Sequence, residues 1–167
     1  MRISQRGIRS SQVKAIQFVP SSMMAPNYPA PYVASGSATE AMNYPWHAFD
    51  RAGTSTYFQT SVAANASLTS FLQLDVGYPK ILKSIKLTQA ATTTYNIRDI
   101  QIQGSNDPAG GIWSNIGGQI GDITNASGTY TYAIENDLAY RHFRMCCKLT
   151  WGGTTVPRFY EVYFGVI

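Results

Sequence analysis

Charge is what this sequence has least of: Asp, Glu, Lys and Arg together make up only 13% of its 167 residues, and no acidic residue occurs before Glu40. Histidine is rarer still, with His47 and His142 alone, and the only cysteines are the neighbours Cys146 and Cys147. Adjacent residues on a strand point to opposite faces, so the two thiols are poorly placed to bond each other, and a reducing compartment suits them. His142 and Cys146 share a strand face but stand roughly 13 Å apart at strand rise, too far to ligate one metal or to form a nucleophile–base pair. The chain lacks G-x-S-x-G, H-E-x-x-H and C-x-x-C, and Gly117-Gly118-Gln119-Ile120-Gly121 lacks the strand-to-helix context of a phosphate loop. These absences argue against catalysis. No apolar run approaches the ~20 residues of a membrane span. The polar, interrupted start MRISQRGIRSSQVKAIQF also lacks the apolar stretch of a secretory signal, which leads us to expect synthesis in the cytoplasm without the usual export.

The net charge of +4 is unevenly placed. Arg2, Arg6, Arg9 and Lys14 supply four cations before any acid, and from residue 15 onward nine basic residues balance nine acidic ones. The body is therefore neutral and the N-terminal arm cationic. A basic groove interleaved with aromatics, as single-strand binders use, is not visible, so we expect no nucleic-acid partner; the arm reads as a segment that docks on a neighbouring protein.

A chain of this length forms one domain that buries about 70% of the surface its unfolded form exposes. Aromatics are plentiful at 13%, with 11 Tyr, and Gly, Pro, Ser, Thr and Asn punctuate the chain, which favours a β-rich fold with many turns. Residues 1–20 read as the basic arm, with one strand at 13–19. A segment over 21–32 follows, in which prolines exclude regular helix, and a β domain occupies 33–167. Period-two alternation marks strands at Leu72, Leu74 and Val76, at Ile85 and Leu87, and at Ile100 and Ile102. LQLDVG reads as a strand closing on a glycine turn and SNDPAGGIW as a hairpin, with Trp113 packing in the core. Near the C-terminus Phe143, Met145, Cys147 and Leu149 form a core face opposite His142, Arg144, Cys146 and Lys148, and a last strand runs over 159–166. No amphipathic helix is convincing, so the strand spacing points to a sandwich or jelly roll.

The order of short signatures resembles the discoidin family, also known as coagulation factor 5/8 type C or galactose-binding-like domains. The matching pieces are VASGS at 33–37, AFD at 48–50, TSTYF at 54–58, FLQLDVGYPKILKSIKL at 71–87, IQIQGSNDPAGGIW at 100–113, YRHFRM at 140–145 and YEVYF at 160–164. The resemblance implies an all-β galactose-binding-like jelly-roll β-sandwich, here with an extended N-terminal arm. Family members often hold a structural Ca²⁺ between the Asp of the AFD turn and a Glu of the last strand. The resemblance places these at Asp50 and Glu161, with Gly53, Ser55 and Thr56 as further oxygen donors, a set of the kind Ca²⁺ accepts. The usual Gly-Asn or Gly-Asp after the Asp is replaced by Arg51-Ala52, so Asp50 either faces an ion, or caps a turn or pairs with Arg51.

Sugar-binding members use loops at one end of the sandwich, where an aromatic ring stacks on the sugar and His, Arg or Asn reads hydroxyls. The candidates are Tyr44, Trp46, His47, Tyr95, Asn96, Arg98 and Trp151, with core packing the competing role for Trp46 and His47. The basic arm, the missing signal and a likeness of residues 23–50 to phage versions of the domain lead to an expectation of function. It is a non-enzymatic bacteriophage virion structural protein on the capsid, tail or baseplate, whose arm residues Arg2, Arg6, Arg9 and Lys14 dock on other virion proteins or copies of itself. Weak glycan contacts would gain from avidity on such a particle. The alternative is a carbohydrate-binding adhesin that recognises host-surface glycans.

Overall fold

A computed structural model describes residues 14–40, 42–109 and 111–167. The expected cations Arg2, Arg6 and Arg9 lie outside the described residues, and Lys14 is exposed. The strands are β1 (Gln17–Val19), β2 (Val33–Gly36), β3 (Phe58–Gln59), β4 (Phe71–Gln89), β5 (Ile97–Asp107), β6 (Ile112–Ile120), β7 (Gly128–Ala133), β8 (Ala139–Thr150), β9 (Arg158–Phe159) and β10 (Glu161–Val166). Among the described residues the one helical element is a 3-10 turn at Pro45–Phe49.

β4 organises the molecule. Its alternating apolar residues read as two separate strands, yet it is one strand of 19 residues that serves two layers. The first part pairs antiparallel with β2 and β8, the second with β10 and β7, and the ladder breaks between Asp75 and Lys80. Gly77 makes the passage. Its φ of 84° favours glycine, and a Cβ there would lie 2.4 Å from the Pro31 side chain. The glycine expected to end a strand instead bends one from layer to layer. β8 continues to β5 and β6, and β10 to β1.

The layers meet through their inward residues: Leu72, Leu74, Phe143 and Met145 from one, Ile85, Leu87, Val162 and Phe164 from the other, all fully buried. Phe143 stacks on Phe164 across the interface at 5.8 Å between ring centroids. Phe49 and Phe58 join the same core.

Residues 17–19 do not behave as a free arm. β1 pairs with β10, Val19 is buried, and Met23 donates its N–H to the Phe49 carbonyl (2.8 Å), so the proline-rich segment is laid onto the sandwich. The outer face of β8 also departs from the sequence expectation. The Arg144 guanidinium lies over the Trp113 and Phe71 rings (4.2 and 5.0 Å to their centroids) and donates to Gln103 Oε1 (2.6 Å). Under that layer Cys146 is fully buried, and Trp113, expected in the core, stands half-buried beneath the guanidinium. Burial pushes the Cys146 thiol up to about 12 and raises that of Cys147 as well. Leu149 leaves the core face because the β5–β8 register slips around Asp99, and it lines a 380 Å³ surface cavity with Asp99, Gln119 and Lys148.

At the bend, Arg141 grips Asp75 with two bonds (2.9 and 2.7 Å) and Gly77 N–H adds a third (2.7 Å). Burial raises the Asp75 pKa, but the Arg141 guanidinium, the Gly77 N–H and nearby His142 outweigh it, so the carboxyl ionises below its ordinary value. A depressed carboxylate pKa contributes stability that is present above the unfolded value and lost as pH falls through the folded one. The melting-temperature difference between the wild type and Arg141→Ala should therefore be steady above about pH 5 and shrink toward pH 2. A difference independent of pH would show that the pair contributes nothing through ionisation.

Candidate functional site

One end of the sandwich is built by two loops zipped together. Trp151 N–H donates to Asn96 O (3.0 Å), Gly152 N–H to Thr94 O (2.9 Å) and Arg158 N–H to Tyr95 O (3.1 Å). Asn96 is the internal brace. It is fully buried and its amide donates to Ala90 O (3.2 Å) and to Asn125 Oδ1 (2.9 Å), so this candidate shapes the loop and does not face a ligand. Trp151 is 41% exposed and fixed by an indole N–H bond to Ile123 O (2.8 Å). Arg98 approaches its ring at 5.6 Å but is committed to Asp122 (3.1 Å).

Tyr95 belongs to a second group that sequence reasoning passed over. The β3–β9 pairing sets Gln59 opposite Arg158. The Arg158 guanidinium lies 4.2 Å from the Tyr95 ring centroid and 4.6 Å from that of Tyr57, a cation held by two aromatic rings. Tyr57 is braced in turn by Tyr160 at 5.4 Å. Arg158 Nε donates to Gln59 Oε1 (2.6 Å), and Gln59 Nε2 donates to Glu40 Oε2. Glu40 is fixed through its own N–H on Gln59 O (3.0 Å). Arg158, Gln59 and Glu40 thus form a row running from donor through amide to acceptor. Among the described residues Arg158 has no acidic partner, and its two Nη groups donate to nothing. Gln59 and Arg158 look unremarkable in sequence; the signal is only that each lies beside a core Phe, Phe58 and Phe159, on strands of two residues.

Tyr44, Trp46 and His47 sit on the 3-10 turn. Trp46 packs on the core and against the His47 ring (4.1 Å), while Tyr44 is exposed and meets His47 edge-on (5.9 Å). No hydrogen bond or ring contact ties them to the Arg158 row.

Of the oxygens implied as Ca²⁺ ligands, both of Asp50, the Thr56 hydroxyl and one of Glu161 are already engaged. Asp50 Oδ1 accepts from Ala52 N–H (2.9 Å) and Oδ2 from the Thr56 hydroxyl (2.8 Å), so Asp50 caps the turn. Arg51 pairs with Glu161 (3.0 Å) rather than with Asp50 and also donates to the Val162, Ser21 and Pro20 carbonyls. Ser55 is exposed and its N–H bonds to Ala52 O (3.3 Å). Glu161 is pushed up to about 7 by burial, with Asp50 adding and Arg51 opposing, and only its Oε1 is buried without a partner. Carboxylates already taken up by a turn cap and a guanidinium do not fit an ion that takes six to eight oxygens.

No protein-family model matches the chain and no curated protein is matched by it. Solved structures are similar in fold. An F5/8 type C domain from Bacteroides fragilis superposes with a TM-score of 0.69 at 19% identity, covering 90% of this chain and 96% of that one. The family 32 carbohydrate-binding module of Clostridium perfringens NanJ, solved with galactose, gives a TM-score of 0.64 at 16% identity, over 80% and 93% of the two chains. The family 32 module of AlyQ, solved with 4,5-unsaturated mannuronic acid, gives 0.60 at 17% identity, over 79% and 92%. The chain therefore has the galactose-binding-like jelly-roll fold. Its structural neighbours are carbohydrate-binding modules and F5/8 type C domains, non-catalytic units of which some are parts of enzymes.

Proposed function

We propose that the chain is a non-catalytic carbohydrate-binding domain whose glycan sits at the loop end, read by the row Arg158, Gln59 and Glu40 between the Tyr57 and Tyr95 rings. The carrying observation is the unpaired Arg158 guanidinium. Its donors are spare while its position is fixed on three sides, by Gln59, Tyr57 and Tyr95. Sugar hydroxyls both accept and donate, which suits a row with a donor at its Arg158 end and a carboxylate acceptor at its Glu40 end, and the tyrosine rings give an apolar wall. The neighbours solved with galactose and with unsaturated mannuronic acid support this reading over that of a phage particle protein. Display on a virion rests on the cationic arm and is the subordinate reading. A broad glycan array should show binding in the millimolar to micromolar range, and silence across it would overturn the assignment.

A further inference from the structure

The best-connected cationic side chain among the described residues belongs to the fold rather than to the glycan end. Arg51 follows the core Phe49 and the turn-capping Asp50, and its guanidinium draws together the two ends of the described chain. On the N-terminal side Nε donates to Ser21 O (2.9 Å) and Nη2 to Pro20 O, directly after β1. On the C-terminal side Nη1 donates to the Glu161 carboxylate (3.0 Å) and to Val162 O (3.1 Å), at the start of β10. The fork is closed from above by the Tyr163 ring, 3.5 Å from the guanidinium carbon. Three carbonyls and one carboxylate converge on a single positive charge, with a second carboxylate, Asp50, beside them.

That donor chemistry is what a hard divalent cation takes: carboxylate and carbonyl oxygens from segments distant in sequence. Here a planar guanidinium takes their place, supplying the same charge sign through directed N–H donors. The backbone carries a cost for it. Arg51 has φ 67°, a left-handed conformation that glycine adopts freely and a long side chain does not. An arginine kept in a glycine conformation at this junction is accounted for by what its side chain joins.

We infer that Arg51 is a built-in replacement for a bound cation, making the fold independent of divalent metal, and that removing its side chain opens a latent Ca²⁺ site formed by Glu161, Asp50 and the Pro20, Ser21 and Val162 carbonyls. Glycine at 51 relieves the backbone strain, so a loss of stability in its place reports the side chain.

The test compares thermal unfolding of the wild type, Arg51→Gly and Arg51→Lys in EDTA, in excess CaCl₂ and in excess MgCl₂. The wild type should melt at the same temperature in all three. Arg51→Gly should melt about 5–10 °C lower in EDTA and recover most of that in CaCl₂ but not in MgCl₂, because Mg²⁺ demands tighter octahedral geometry and sheds water reluctantly. Arg51→Lys, with the charge but not the fork, should fall between and ignore calcium. Adding Glu161→Gln to Arg51→Gly should abolish the recovery. A wild type that gains stability from CaCl₂, or an Arg51→Gly protein as stable as the wild type in EDTA, would overturn the replacement. Destabilisation that calcium does not reverse would overturn the latent site. Should Arg51→Gly fail to fold in EDTA, folding on addition of CaCl₂ supports the inference and failure with both ions counts against it.

Discussion

Replacing Arg158 with alanine should weaken glycan binding about 30-fold while leaving the melting temperature within a few degrees of the wild type. The magnitude follows from hydrogen bonds to a charged group, worth about 2 kcal/mol, where about 1.4 kcal/mol is a factor of ten. The stability expectation follows from the structure, since Arg158 makes one side-chain hydrogen bond, to Gln59, and two ring contacts at a half-exposed position. Arg158→Lys tests the mechanism: a lysine keeps the charge but cannot present the fork, so it should restore little. Arg98→Ala is the control, because that guanidinium is held by Asp122 (3.1 Å). Titration calorimetry against the best array ligand reads all three. If Arg98→Ala costs as much as Arg158→Ala, the ligand sits on the Trp151 side and the row is not the reader.

Truncating Phe143 should cost about 3–5 kcal/mol, a fall of about 10–15 °C in Tm for a domain of this size. Phe143 is fully buried, stacked on Phe164 (5.8 Å) and met edge-on by Tyr140 (6.5 Å), while Phe164 also touches Phe49 (6.3 Å). It therefore lies where the two layers and the 3-10 turn converge, and interiors packed to crystal density relax little around a lost ring. Phe143→Leu, which keeps most of the volume, should cost under about 1.5 kcal/mol. Urea unfolding of both variants measures the difference. A loss below about 1 kcal/mol for Phe143→Ala would mean that the layers are not joined there.

The calcium expectation shows where sequence reasoning stopped. The sequence offers Asp50 three roles: a ligand to an ion, a turn cap, or a partner of Arg51. The cap is present, but Arg51 reaches past Asp50 to Glu161, a residue 110 positions away. That choice depends on Pro20 and Ser21 lying beside β10, which β1 pairing determines and no local pattern announces. The glycan candidates divide in the same way. Tyr95, Asn96, Arg98 and Trp151 lie on loops that share one end of the sandwich, with Asn96 as internal bracing, while Tyr44, Trp46 and His47 lie apart at the 3-10 turn. The row of Arg158, Gln59 and Glu40 is not legible in the sequence, because a pair of two-residue strands offers no periodicity to read.

By itself the sequence determined the β class, the inward sets Leu72-Leu74-Val76 and Phe143-Met145-Cys147, and the hairpin turn before Ile112, because alternation and turn chemistry act over neighbouring residues. The tertiary structure decided that β4 crosses between layers at Gly77, that Cys146 lies buried under Arg144 and Gln103, and that Arg158 is left without an acidic partner among the described residues. Burial on an outer face and the pairing of a guanidinium both depend on which distant strand lies alongside. A charge has no partner in a sequence; it acquires one, or in the case of Arg158 does not, only when the chain is folded.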